Sequence, residues 1–141
     1  MPAAFDIEVI TPERTVFSGQ VVSLVAPGAE GYLGVLAHHA PLVTSLRVGE
    51  ARVTDAEGRD TWLAVSGGFL EVAENRAVLL ADAAEAAQQI DVARAEASRA
   101  RAEEARAKHP RTDPSFAAAE AALARALNRL RVAREHGQTS E

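Results

Sequence analysis

In the stretch QQIDVARAEASRARAEEARAKHP, Asp91 and Arg94 invite two chemical explanations. A carboxylate just ahead of an alanine-rich run caps a helix by accepting from its first free backbone amides. An aspartate among arginines also suits an anionic ligand, because a polyphosphate leaves water only for several converging guanidinium donors. On a wheel of 100° per residue, Arg94 and Arg101 lie two turns apart on one side of a helix. Arg125 and Arg129 follow on a later segment, four apart, with no acidic residue three or four positions away. Charges at such spacing ordinarily make a solvated face. An unpaired couple on a loosely anchored helix would instead be free to meet carboxylates elsewhere.

Other chemistry is poorly supplied. His38 and His39 adjoin in LAHHAPLV, and neighbours on a strand point to opposite faces, so they do not converge on a metal. There is no cysteine and no H-x-x-x-H spacing, and turn histidines with polar partners ahead of Pro41 are expected. Ser66 in SGG lacks the G-x-S-x-G frame, whereas Gly67 and Gly68 fit a bulge or a close backbone approach. Gly28, Gly31 and Gly34 precede neither a helix nor a G-K-[ST] sequence, so no phosphate loop is expected. Neither a nucleophile nor an acid–base pair emerges. No catalytic site and no metal site is expected.

The elements that must position these residues fall into two grammars. Eight of the nine glycines lie at or before Gly68, and five of the six aromatics at or before Phe69. AFDIEVI alternates Phe5, Ile7 and Val9 against Asp6 and Glu8, the period of a half-buried strand. ARVTDAEGRDTWLAV and FLEVAENRAVLLA read as hairpins turning at DAEG and AENR. Short strands with no helical interval predict an antiparallel β-sandwich over residues 1–86. Residues 91–108 hold seven alanines and no Gly or Pro; Pro110 and Pro114 then interrupt, with Asp113 as an N-cap. Phe116, Ala119, Leu123, Leu127 and Leu130 form a stripe facing Ala93, Ala97, Ala100 and Ala107, so residues 87–141 predict an antiparallel helical hairpin. Alanine buries little area, so the hairpin should be loosely anchored and able to undock.

Composition narrows the function classes. Hydrophobic content of 48% and charged content of 25% are those of a soluble globular chain. The absence of cysteine is compatible with a reducing cytosol. MPAAFDIEVI has no basic region followed by an apolar one, so no signal peptide is expected, and no apolar run approaches the ~20 residues of a spanning helix. Residues 1–86 carry 5 Lys/Arg against 12 Asp/Glu, and residues 87–141 carry 10 against 8, for balances of −7 and +2. That distribution argues against a nucleic-acid binder, which needs a concentrated basic face with stacking aromatics.

The order and spacing of GYLGVLAHHAPLV, SGGFLEV, LLADAAE, IDVARA and ALNRLRVA resemble the epsilon subunit of the bacterial F-type ATP synthase over almost the full length. The resemblance implies a sandwich of about ten strands bound to the gamma subunit and seated on the ring of c subunits, with Tyr32 and His39 as ring contacts. It implies helices that extend toward the beta subunits and block ATP hydrolysis, with Arg125 and Arg129 as the inhibitory contacts. Its ATP-binding members match Glu85, Asp91, Arg94, Arg101 and Arg125, but carry two further arginines where this chain has Ala105 and Ala118. No cofactor is required on this basis, and ATP is at most a weak regulatory ligand. Two further departures stand at Tyr32, where the family usually has an acidic residue, and at Ala37 to His39, where it has P-G-H. The expectation is a non-catalytic central-stalk rotor subunit of the proton-translocating enzyme, peripheral at the cytoplasmic face of the cell membrane. The alternative is a free-standing small-ligand-binding sandwich whose hairpin acts as a lid.

Overall fold

Phe5, Ile7 and Val9 turn into the core from strand β1 (Phe5–Ile10), while Asp6 stays exposed, as the alternation requires. The computed structural model describes residues 2–138 in two units, one ending at Ala86 and the other beginning at Ala87. The first unit continues through β2 (Thr15–Val21), β3 (Ser23–Gly28), β4 (Gly31–Val35), β5 (Leu42–Thr54), β6 (Asp60–Ala73), β7 (Arg76–Ala81) and β8 (Ala84–Ala86). The strands hydrogen-bond in the order β2-β1-β7-β6-β5-β3-β4, with β8 added to β6. Every pairing is antiparallel except β1 with β7. Ile7, Leu24, Leu63, Leu70 and Leu79 are fully buried between the layers of this sandwich.

Among the described residues eight strands stand where about ten were expected. β5 and β6 run for 13 and 14 residues, each long enough to serve both layers without a break. The corner lies where the β5–β6 register passes from Leu46↔Gly68 to Val48↔Ser66. Gly67 and Gly68 have φ of 79° and 125°, and a Cβ on Gly68 would stand 2.0 Å from the carbonyl oxygen of Leu80. Only glycine fits such a close approach. Beyond the corner β6 exchanges β7 for β8 as its neighbour.

Turn chemistry fixes the hairpins. Asp55 accepts from the backbone amides of Glu57 (3.0 Å) and Arg59 (2.9 Å), and Gly58 supplies a φ of 82°. The Arg59 amide above all holds the Asp55 carboxyl below its ordinary value. Glu74 and Asn75, at φ of 52° and 58°, form the two-residue loop between β6 and β7. The Asn75 side chain accepts from the His38 amide (2.8 Å) and donates to the Ala4 carbonyl (3.1 Å). His38, standing at the middle of the turn before Pro41, itself takes a φ of 63°.

The second unit opens with one 3-10 turn (Ala87–Gln89) and continues as α1 (Val92–Ala107) and α2 (Pro114–His136). Asp91 caps α1 by accepting from the Arg94 amide at 3.0 Å, and Asp113 caps α2 by accepting from the Ser115 amide at 2.8 Å. The buried face of α1 is not the expected one. Ala93, Ala97, Ala100 and Ala107 are exposed, and Ala95 and Ala102, seven residues apart, are buried instead. Alanine on several faces leaves the wheel ambiguous; in the structure Arg99 stands half-buried beside the seam, in contact with Glu96 and Glu103. On α2 the seam is Ala119, Leu123, Ala126 and Leu130. Leu127, expected inward, is 47% exposed. Ala126 takes its place because small side chains let two alanine-lined helices approach closely.

Candidate functional site

The helical seam determines where the arginines go. Arg94 and Arg101 each precede a buried alanine of α1 by one position, and Arg125 and Arg129 precede Ala126 and Leu130 of α2. One position is 100° of rotation. Reversing one helix also reverses the direction it faces, so the preceding positions of both helices fall on the same flank of an antiparallel pair. Arg94, Arg101, Arg125 and Arg129 therefore share one side of the hairpin. Arg94, Arg101 and Arg125 are exposed and have no carboxylate partner among the described residues; Arg101 donates to the Ser98 hydroxyl at 3.1 Å.

Arg129 corrects an expectation. It is half-buried and does not stand free of partners, although no acidic residue lies three or four positions away in its own helix. Sequence spacing along one helix could not reveal that. Asp91 spends one carboxylate oxygen as the α1 cap. Glu85 belongs to the first unit, on β8 opposite Ala64, where it is half-buried and also has a partner. Ala105 is half-buried and Ala118 exposed. Arg106 lies nearer the helix turn, lining an open groove of about 740 Å³ with Arg111, Phe116, Glu103 and Glu120. Its nearby carboxylates make that groove a poor place for a polyanion.

On the sandwich, Tyr32 is 52% exposed and its hydroxyl accepts from the Glu50 amide at 3.3 Å. It lies across Gly49, where a Cβ would come within 2.9 Å of that hydroxyl. With Val25, Glu50, Arg52 and Trp62 it lines a cavity of about 220 Å³, in which the Arg52 guanidinium stands 5.6 Å from the Trp62 ring centre. His39 is half-buried, its Nδ1 2.6 Å from the Ala40 carbonyl. A carbonyl only accepts, so Nδ1 carries the proton.

Sequence reasoning missed an apolar surface. Ser45, Phe69 and Leu80 stand side by side on β5, β6 and β7, and Val43, Glu71 and Val78 form the next row. Val43, Phe69 and Leu80 are 68%, 58% and 49% exposed. The available signal was adjacency: Leu42–Val43, Phe69–Leu70 and Leu79–Leu80 are consecutive apolar pairs, and such pairs on a strand make both of its faces apolar.

Comparison with known proteins follows the division into units. Residues 4–87 match the family model described as ATP synthase, Delta/Epsilon chain, beta-sandwich domain, and residues 88–134 match ATP synthase, Delta/Epsilon chain, long alpha-helix domain. The chain is similar to the ATP synthase epsilon chain of Desulforamulus reducens, with 49% identity over 127 residues covering 90% of this chain and 95% of the relative. It is 45% identical to that of Dehalococcoides mccartyi over 142 residues, covering 96% and 99%. A mitochondrial ATP synthase structure from Euglena gracilis, comprising OSCP, F1 and the c-ring, contains a chain with the same fold at a TM-score of 0.78 and 21% identity, covering 96% of this chain and 84% of that one. The alternative of a free-standing ligand-binding sandwich gives way to these matches. With a strand unit and a helix unit each matched to its own model and relatives aligned nearly end to end, the chain belongs to the ATP synthase epsilon-chain family, as a non-catalytic subunit of that enzyme.

Proposed function

We propose that this central-stalk subunit joins the gamma subunit to the ring of c subunits through its sandwich, and restrains ATP hydrolysis through its helical hairpin. The observation that carries the first half is the outward apolar cluster of Val43, Phe69 and Leu80. A contiguous apolar patch on a sheet face marks an interaction surface. Gamma is the occupant we assign to it, because a rotor subunit must turn with the shaft and a broad dry contact resists slip. Tyr32 and His39 are the ring contacts: Tyr32 offers an exposed aromatic edge, and His39 has Nε2 left over from its contact with the Ala40 carbonyl. None of the described helices is long and apolar enough to cross a membrane, so attachment at the cytoplasmic face runs through the complex.

Restraint of hydrolysis falls to the arginine flank. Arg125 and Arg129 would meet acidic groups of the beta subunits when the helices extend, where a desolvated pair contributes more than the ~0–1 kcal/mol of a surface pair. ATP is assigned a weak regulatory place on the same flank, with Arg94, Arg101 and Arg125 as its donors.

The test is co-purification with gamma. The full chain should retain gamma at near-equal stoichiometry, and Phe69→Asp should lose it by about tenfold or more while keeping its circular dichroism, because a carboxylate cannot be left unpaired in an apolar contact. Retention of gamma by a folded Phe69→Asp chain would remove the patch from the interface.

A further inference from the structure

The flank of the hairpin opposite the four arginines is built differently. Glu96 and Glu103 each follow a buried alanine of α1 by one position and so lie on that other side. Arg99 spans them, donating through Nε (3.0 Å) and Nη2 (2.8 Å) to one oxygen of Glu96 and through Nη1 (2.8 Å) to Glu103. The second oxygen of Glu96 accepts from Arg134 Nη2 at 2.7 Å. Arg134 is in the last turn of α2, and Glu96 is near the start of α1. The pair therefore bridges the end of the hairpin that no turn connects. The Glu96–Arg134 ion pair joins α1 to α2 across 38 positions of sequence.

We propose that the Glu96–Arg134 pair, with Glu96 braced by Arg99, is an electrostatic latch that holds the free end of the hairpin closed. The proposal deepens the reading of the hairpin as a restraint on hydrolysis, and rests on it. Three features make this pair consequential where most surface pairs are not. The α1 side of the seam buries only Ala95 and Ala102, so little apolar contact competes with it. Arg99 holds the Glu96 carboxylate by two donors at once, which reduces the side-chain freedom that pairing with Arg134 must remove. The other flank gathers like charges at Arg94, Arg101 and Arg125, a repulsion that acts to part the helices. Glu96 is thus a carboxylate through which charge holds the two helices against that repulsion.

The test is a double-mutant cycle in the full-length chain. With no native cysteine, Ala97→Cys and Leu127→Cys on exposed positions of the two helices take nitroxide labels cleanly. The ratio of open to closed distances should rise roughly two- to fivefold in Glu96→Gln and in Arg134→Gln, the range of a networked surface pair. The double variant should open no further than the larger single one. Arg134→Lys, which keeps the charge, should open less than Arg134→Gln, and in an Arg99→Gln background the coupling between Glu96 and Arg134 should shrink. Additive single effects, or an unchanged ratio in Arg134→Gln, would overturn the latch. Hydrolysis by the assembled enzyme is a separate arm. Arg134→Gln should deepen inhibition, and a hairpin that opens with no change in hydrolysis would keep the latch and sink the inhibitory role.

Discussion

Arg125 and Arg129 occupy the same flank of the hairpin but in different circumstances. Arg125 is exposed without a carboxylate partner, whereas Arg129 is half-buried and engaged, so only the first isolates a role in an extended state. Arg125→Ala should raise ATP hydrolysis by the assembled enzyme; unchanged turnover in an enzyme shown to contain the variant would exclude that contact. Asp91 separates two roles in a similar way. Asn caps a helix about as well as Asp, while Ala forfeits about 0.5–2 kcal/mol. Melting of the helical signal should therefore distinguish Asp91→Ala from native protein but hardly Asp91→Asn. Mg-ATP should bind with a dissociation constant weaker than ~10 μM by calorimetry. Ala105 and Ala118 remove two charge-assisted contacts of roughly 1.5–3 kcal/mol each, about two to four powers of ten in affinity. Binding tighter than that limit and lost in Arg94→Ala would show that the remaining arginines suffice. The Asp91 cap was legible in the sequence, as were the residue types that make the arginine flank a candidate site. The state of Arg129 was not, because pairing along one helix says nothing about partners brought in by the fold.

Among the elements, strands were easier to read than helix faces. Period-two alternation over Phe5–Val9 and the DAEG and AENR turns each admit one geometry, and the structure adopts it. A helix with alanine at seven of its 16 positions admits several, and Ala95 with Ala102 prevailed over the stripe the wheel favoured. The strand count fell to eight because nothing in local sequence says whether a long strand bends or breaks. Gly68 is where it bends. Gly68→Ala should lower the melting temperature of the sandwich sharply, since the added carbon meets the Leu80 carbonyl at 2.0 Å and φ of 125° strains any side chain. A variant melting within a degree or two of native protein would deny the corner its tight contact. Acid should act on the helices. Glu96 lies below its ordinary value chiefly through the Arg99 hydrogen bond, Glu104 through Lys108, and Asp113 through the Ser115 amide. Carboxyls depressed by folding stabilise above their unfolded values, and that contribution fades as pH falls through the folded ones. Helical ellipticity should therefore melt at progressively lower temperature as pH drops from about 5 to about 3. A melt independent of pH across that window would contradict these pairings.

At the level of the whole molecule, the change in grammar between glycine-rich strands and glycine-free helices was written in the sequence, down to an acidic front and a mildly basic back. A fragment of residues 1–86 should fold alone and bind gamma. It must include Ala86, because β8 pairs with Leu63–Val65 of β6 and ends there. Failure of that fragment to give a cooperative sheet-like melt would mean that the sandwich depends on the helices. The turn between the helices carries a consequence of another kind. Pro110 and Pro114 bracket it, the second at the first position of α2. Neither has an amide hydrogen to give, and each ring would collide with the carbonyl four residues earlier if the turn were wound into helix. The 16 residues of α1 and the 23 of α2 thus cannot anneal into one rod. Were the hairpin to open, it would do so as two stiff segments of about 24 Å and about 35 Å about an elbow. Its reach is then a matter of angle, and a protein surface that sets the elbow sets how far the arm extends.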